Sequence, residues 1–160
     1  MERAERARQN FLRGYNCGQS VVLAFSDLLD LSEKQLLRVS APFGGGMGRL
    51  REACGAVSGM CMVLGLLFYD AEHITTEEKS ALYAREQAVA ARFREKFGSV
   101  VCRELLAGTG ATSAPQAEER TAEYYAKRPC AGLCAGAAKI LQEYLAEEGV
   151  LPAGGEGKQA

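Results

Sequence analysis

The sequence predicts an all-α fold, a single-domain helical bundle around a buried central helix that contains glycine and cysteine. Three observations predict it. Apolar residues recur at helical spacing, and no stretch alternates with the period of a strand. Caps and stops punctuate that pattern: Asn16, Ser32, Thr75 and Ser99 precede apolar runs, while Gly14, Gly98 and Gly108 follow them. The third is Ala53–Tyr69, A-C-G-A-V-S-G-M-C-M-V-L-G-L-L-F-Y, which carries no charge. As a helix it is apolar on every face, the mark of a buried element. A bilayer span needs roughly 20 apolar residues. This run is shorter and is interrupted by Gly55, Gly59 and Gly65, so membrane insertion is not expected.

In chain order, Glu2–Arg13 reads as an amphipathic helix with Ala4, Ala7, Phe11 and Leu12 inward, stopped by Gly14. Asn16 caps a helix from Cys17 to about Leu29, burying Val21, Val22, Phe25, Leu28 and Leu29. Ser32 caps a short third helix with Leu36, Leu37 and Val39 inward, and Pro42 ends it. A glycine loop, Phe43–Arg49 (F-G-G-G-M-G-R), leads into the central helix. Thr75 or Thr76 caps a long helix to Phe97, acidic in its first turn and basic in its last, as the helix dipole favours. Its core candidates are Leu82, Val89, Phe93 and Phe97. Val100–Leu106 is a short helix, Gln116–Lys127 a weak polar one, and Cys130–Glu147 the last, with Leu133, Ala137, Ile140, Leu141, Tyr144 and Leu145 buried. The expected domain spans 1–148, with 149–160 a flexible tail.

Nineteen Lys and Arg balance twenty Asp and Glu, so no dominant basic footprint points to nucleic acid. The six cysteines are the unusual feature. The N-terminus is charged and lacks the apolar core of a secretory signal. The expected compartment is the cytoplasm, where thiols stay reduced and cysteines in this number point to metal ligation or redox chemistry. His73, the only histidine, stands in a polar connection and reads as a solvated loop residue rather than a ligand or base.

Cys17, Cys54, Cys102 and Cys130 all fall near expected helix starts. There the free N–H groups and the positive dipole end should favour a thiolate and lower its pKa. Arg103 and Arg128 add charge beside Cys102 and Cys130. No C-x-x-C occurs, so the commonest zinc and thioredoxin patterns are absent. Cys61 and Cys134 read as core packing. Gly44, Gly45 and Gly46 have two readings: tight packing over Cys54, or an anion-binding nest that contacts a ligand or cofactor. Gly55 and Gly59 share a face that admits a close neighbour, either within the chain or across a homodimer.

Taken together, Y-N-C at Cys17, F-G-G-G-M-G-R, C-G-A-V-S-G at Cys54–Gly59, G-S-V-V-C-R-E-L-L at Cys102 and R-P-C at Cys130 resemble one family. It is a group of bacterial proteins regarded as redox-active and known by the cysteine signature C_GCAxxG_C_C. The resemblance runs from about Phe11 to Leu145. It implies that Cys17, Cys54, Cys102 and Cys130 are the four signature, catalytic or metal-binding cysteines, with Cys61 and Cys134 as additions. A related domain occurs in split-Soret cytochromes, for which a cysteine-ligated iron–sulfur site has been proposed; their haem segment is absent here. Two mechanisms follow for four thiols at one buried site. One is electron transfer through a cluster, [2Fe–2S] above all. The other is dithiol–disulfide cycling with a redox partner not yet identified. A structural zinc site or a partner-binding helical module, with cysteines that merely pack, is the alternative. The expected core pair is Cys54 with Cys17 or Cys102, closed by Cys130.

Overall fold

The computed structural model describes residues 1–153. The fold is all-α: among the described residues no strand forms, and the one β-type contact is an isolated antiparallel bridge between Ala53 and Val101. No helix among them is long and apolar enough to cross a membrane.

Local signals set the first helices. α1 (Arg3–Leu12) buries Ala7 and Phe11 as expected, but also Arg3 and Asn10. Arg3 donates to both carboxylate oxygens of Asp27 and to Ala24 O. α2 (Cys17–Leu23) begins with a capping box between Asn16 and Gln19. It stops six residues before the expected Leu29, because Arg3 claims Ala24 O and Asp27. The chain there tightens into a 3₁₀ turn, Ser26–Leu28. α3 (Glu33–Ser40) starts from a second capping box, Ser32 with Gln35. Leu36 and Ser40 share its inward face, and this orientation rolls Val39 out to 50% exposure, against the expectation that it packs inward.

The glycine stretch is ordered. A 3₁₀ turn over Ala41–Phe43 runs into the single turn α4 (Gly44–Met47), which is left-handed at Gly45 and Gly46. Met47, Arg49 and Arg51 also hold positive φ, at 70°, 66° and 61°. Left-handed non-glycine residues cost roughly 1–3 kcal/mol each and persist only where surrounding contacts dictate them. Here the contacts are Gly48 N to Pro42 O, Arg51 N to Gly45 O and Glu52 N to Gly46 O.

α5 (Gly55–Phe68) packs its glycine face on α2. A Cβ on Gly59 would lie 2.9 Å from Val21 Cβ, and one on Gly55 2.8 Å from Phe43 O. That face is therefore occupied within the chain. α5 is also not buried all round. Ser58 and Met62 are half-buried, and Leu66, next on the same stripe, is 45% exposed.

α6 (Thr76–Phe97) runs from a Thr75 cap to a left-handed Gly98, as expected. α7 (Cys102–Leu105) is one turn, and α8 (Ala122–Lys127) is capped by Thr121. α9 (Cys130–Glu147) buries all six of its expected core residues and lies along α1, so it shares the centre with α5. One hydrophobic cluster joins these helices. The start of the expected tail remains attached: Val150 N and Leu151 N both donate to Leu145 O, and Leu151 packs on the core. The rest of that tail, 154–160, lies outside the described residues.

Candidate functional site

Each signature cysteine stands at a helix start. Cys17, Cys102 and Cys130 are the first residues of α2, α7 and α9, and Cys54 is the N-cap of α5. The Ala53–Val101 bridge sets two of these starts side by side. Cys54 N donates to Val100 O at 2.8 Å, and Cys102 N donates to Glu52 O at 2.6 Å. Gly46 completes the approach from the glycine turn. All four signature cysteines line one cavity of about 50 Å³, together with Gly45, Gly46, Arg51, Arg120, Tyr124 and Arg128. Gly44 lines the adjoining cleft rather than this cavity.

The thiols meet as one group. Cys17 is the hub: its thiol lies beside those of Cys130 and Cys134, close enough for each to alter its titration. Cys134 is fully buried, and its Sγ also donates to Cys17 O at 3.9 Å. Cys54 has both expected neighbours close by, Cys102 beside it and Cys17 against the adjoining Gly55, and Cys17 adds Cys130 and Cys134 to the group. The reason is that α9 runs beside both α1 and α2 and so carries Cys130 and Cys134 against the start of α2. Cys134 is no distant spectator. Cys61 does stand apart, half-buried beside Glu86.

The electrostatics also depart from expectation. Helix starts were expected to lower the thiol pKa values, yet all are raised. Burial pushes Cys54 up to about 12, against the opposing pull of the Ala56 and Val57 N–H groups. Cys130 is raised by the neighbouring Cys17 thiol and then by burial. For Cys17, the neighbouring Cys130 favours the thiolate, but Cys134 and burial outweigh it. Cys134 is likewise raised by burial despite the Cys17 thiol beside it. Burial also raises Cys61, to about 12. Desolvation of a thiolate in an apolar core exceeds what one helix terminus returns. The short α2 and α7 add little dipole of their own.

Cys102 differs in having a cation at its sulfur. Burial raises it, but Arg51 Nη1 donates to Sγ at 3.8 Å and holds the rise back. The expected neighbour, Arg103, turns outward to pair with Glu52 at 3.0 Å. Arg51 is 8% exposed, and its Nε donates to Thr112 O at 2.9 Å. Arg120 donates to Phe11 O and Tyr15 O and stacks on the Phe11 and Tyr124 rings. Sequence reasoning missed Arg51 and Arg120, while Cys134 is packed in the core as expected. The only available signal was the density of arginines around the glycine turn and before Cys130.

These residues do not fit a metal cluster in the arrangement they adopt. Among the described residues, no group of three or more His, Cys, Asp and Glu side chains is disposed to hold a metal ion. The arrangement offers neighbouring buried thiols and one thiol beside a guanidinium.

No curated protein and no solved structure is detectably similar to the chain. A family model described as "Putative redox-active protein (C_GCAxxG_C_C)" matches residues 15–144, a span that holds all four cavity cysteines, the glycine turn and the cavity arginines. With that match over most of its length, the chain belongs to the C_GCAxxG_C_C family of redox-type proteins.

Proposed function

We propose that this protein works by dithiol–disulfide cycling among cysteines of the shared cavity. The observation that carries the reading is the meeting of four chain-distant signature thiols around one cavity, with the Cys17 thiol beside that of Cys130. In the oxidative half-reaction two cysteine thiols form one S–S bond and release two electrons and two protons. An external disulfide that accepts them becomes two thiols. Cys102 is the entry point on this reading, since Arg51 stabilises the thiolate that must attack. The reading suits the cytoplasm, where a reducing pool returns the disulfide to thiols.

The test is redox titration of the full chain, prepared without oxygen, followed by alkylation and mass spectrometry. One intrachain disulfide should form reversibly, with a loss of two hydrogens. Cys17→Ser and Cys130→Ser should each abolish the Cys17–Cys130 link. Failure to form any intrachain disulfide across the range of thiol buffers would sink the mechanism.

A cluster remains a second reading, since the same four thiols surround one cavity. It requires them to rearrange from their present contacts. Iron, sulfide and zinc analysis of the same anaerobic protein, with its visible spectrum, decides it. Stoichiometric iron and sulfide would replace the dithiol mechanism, and stoichiometric zinc would make the site structural.

A further inference from the structure

The thiol cavity has an antechamber. A cleft of about 280 Å³ adjoins it and shares Arg51, Arg120, Arg128 and Tyr124 with it. Arg49 also lines this cleft, and Glu118 is its one carboxylate. Four guanidinium groups thus face one carboxylate, in a chain whose net charge is -1. Glu118 Oε1 pairs with Arg49 at 3.0 Å and with Arg128 at 2.7 Å. Among the described residues, Arg51 and Arg120 pair with no carboxylate; they donate to backbone carbonyls and the Cys102 sulfur, and Arg120 also lies over the Phe11 and Tyr124 rings. Arg51 and Arg128 are 8% and 9% exposed. Buried guanidinium groups in excess of nearby carboxylates favour an anion between them, and their planar forks suit carboxylate or oxyanion oxygens.

We propose that this cleft binds a small molecule carrying two or more negative oxygen groups and presents it to Cys102. If the dithiol reading holds, the substrate class is an anionic disulfide. Cys102 loses its proton, and the thiolate attacks one sulfur of the substrate. The substrate S–S bond breaks, a mixed disulfide forms, and one half leaves as a thiolate that takes up a proton. A second cavity cysteine then displaces the other half in the same way, leaving a protein disulfide and two substrate thiols. Arg51 touches the reacting sulfur, whereas Arg49 holds the anion.

The experiment uses the reduced full-length chain at fixed ionic strength. Rates of Cys102 modification are compared for dithiobis(nitrobenzoate), a dianionic disulfide, and for neutral dithiodipyridine. Sulfate binding is measured separately by calorimetry. Sulfate should bind, and should slow only the anionic reagent. The rate ratio of anionic to neutral reagent should fall about tenfold in Arg49→Gln, the loss of one charge-assisted contact. It should rise in Glu118→Gln, which frees two guanidinium groups; a purely structural role for Glu118 would not raise it. Sulfate binding with neither reagent reaching Cys102 would overturn the substrate role and the dithiol entry point together. Both reagents reacting, with an unchanged ratio in both variants and no sulfate binding, would overturn the anion site and leave the dithiol mechanism standing.

Discussion

A Cβ on Gly46 would stand 2.5 Å from the Cβ of Cys102. The glycine turn is therefore pressed against the thiol that Arg51 also touches, and Gly46 is the residue that permits both. Its φ of +70° asks for glycine independently. Gly46→Ala should lose about 2–4 kcal/mol in chemical denaturation, from strain and overpacking combined. An unchanged midpoint would mean that the turn gives way freely and does not position Cys102.

The glycines of α5 separate packing from propensity. Gly59→Ala meets Val21 and the Gly18 carbonyl and should cost about 1–3 kcal/mol. Gly65 has nothing within 4 Å of its would-be Cβ. Gly65→Ala should instead stabilise by roughly 0.5–1 kcal/mol, through helix propensity and a less flexible unfolded chain. The two thermal midpoints should move in opposite directions.

Arg51 should set the reactivity of Cys102. In the reduced protein Cys102, with Arg51 hydrogen-bonded to its sulfur, should alkylate ahead of Cys54, where burial dominates, and of Cys130, where Arg128 and Arg120 only partly offset Cys17 and burial. Arg51→Gln should slow it about tenfold at neutral pH, the equivalent of one charged hydrogen bond. Peptide mapping after brief treatment with iodoacetamide, a neutral reagent, gives the order. Equal rates in Arg51→Gln and wild type would remove Arg51 from this role.

The raised thiols make the reduced protein alkali-sensitive. Cys54 titrates near 12 when folded, against an ordinary value of 9.0, so between those values the folded chain holds a proton that the unfolded chain has lost. Its contribution is intact below pH 9 and declines as pH rises toward about 12. The slope approaches about 1.4 kcal/mol per pH unit. Stability of Cys54→Ala should therefore fall less steeply over that window than wild type under reducing conditions. Parallel curves would mean that Cys54 is not desolvated in the fold.

Much of the fold was legible because its signals are local. Asn16 and Ser32 reach only three residues ahead, and Gly98 needs only its own left-handed φ. Such signals were enough to place Cys17, Cys54, Cys102 and Cys130 at helix starts. Where a distant residue intervened, the local reading failed. Arg3 ended α2 early by taking Ala24 O and Asp27. The orientation of α3 exposed Val39.

The sequence by itself determined the all-α class and the placing of Cys17, Cys54, Cys102 and Cys130 at helix starts. Only the tertiary structure decided which thiols touch, which arginine reaches Cys102 and in which direction the thiols titrate. The Ala53–Val101 bridge and the crossing of α9 past α2 join residues far apart in the chain, and no periodicity encodes such meetings. Desolvation, too, exists only once the core has closed over the sulfurs, which is why helix starts that favour thiolates locally end by holding protonated thiols.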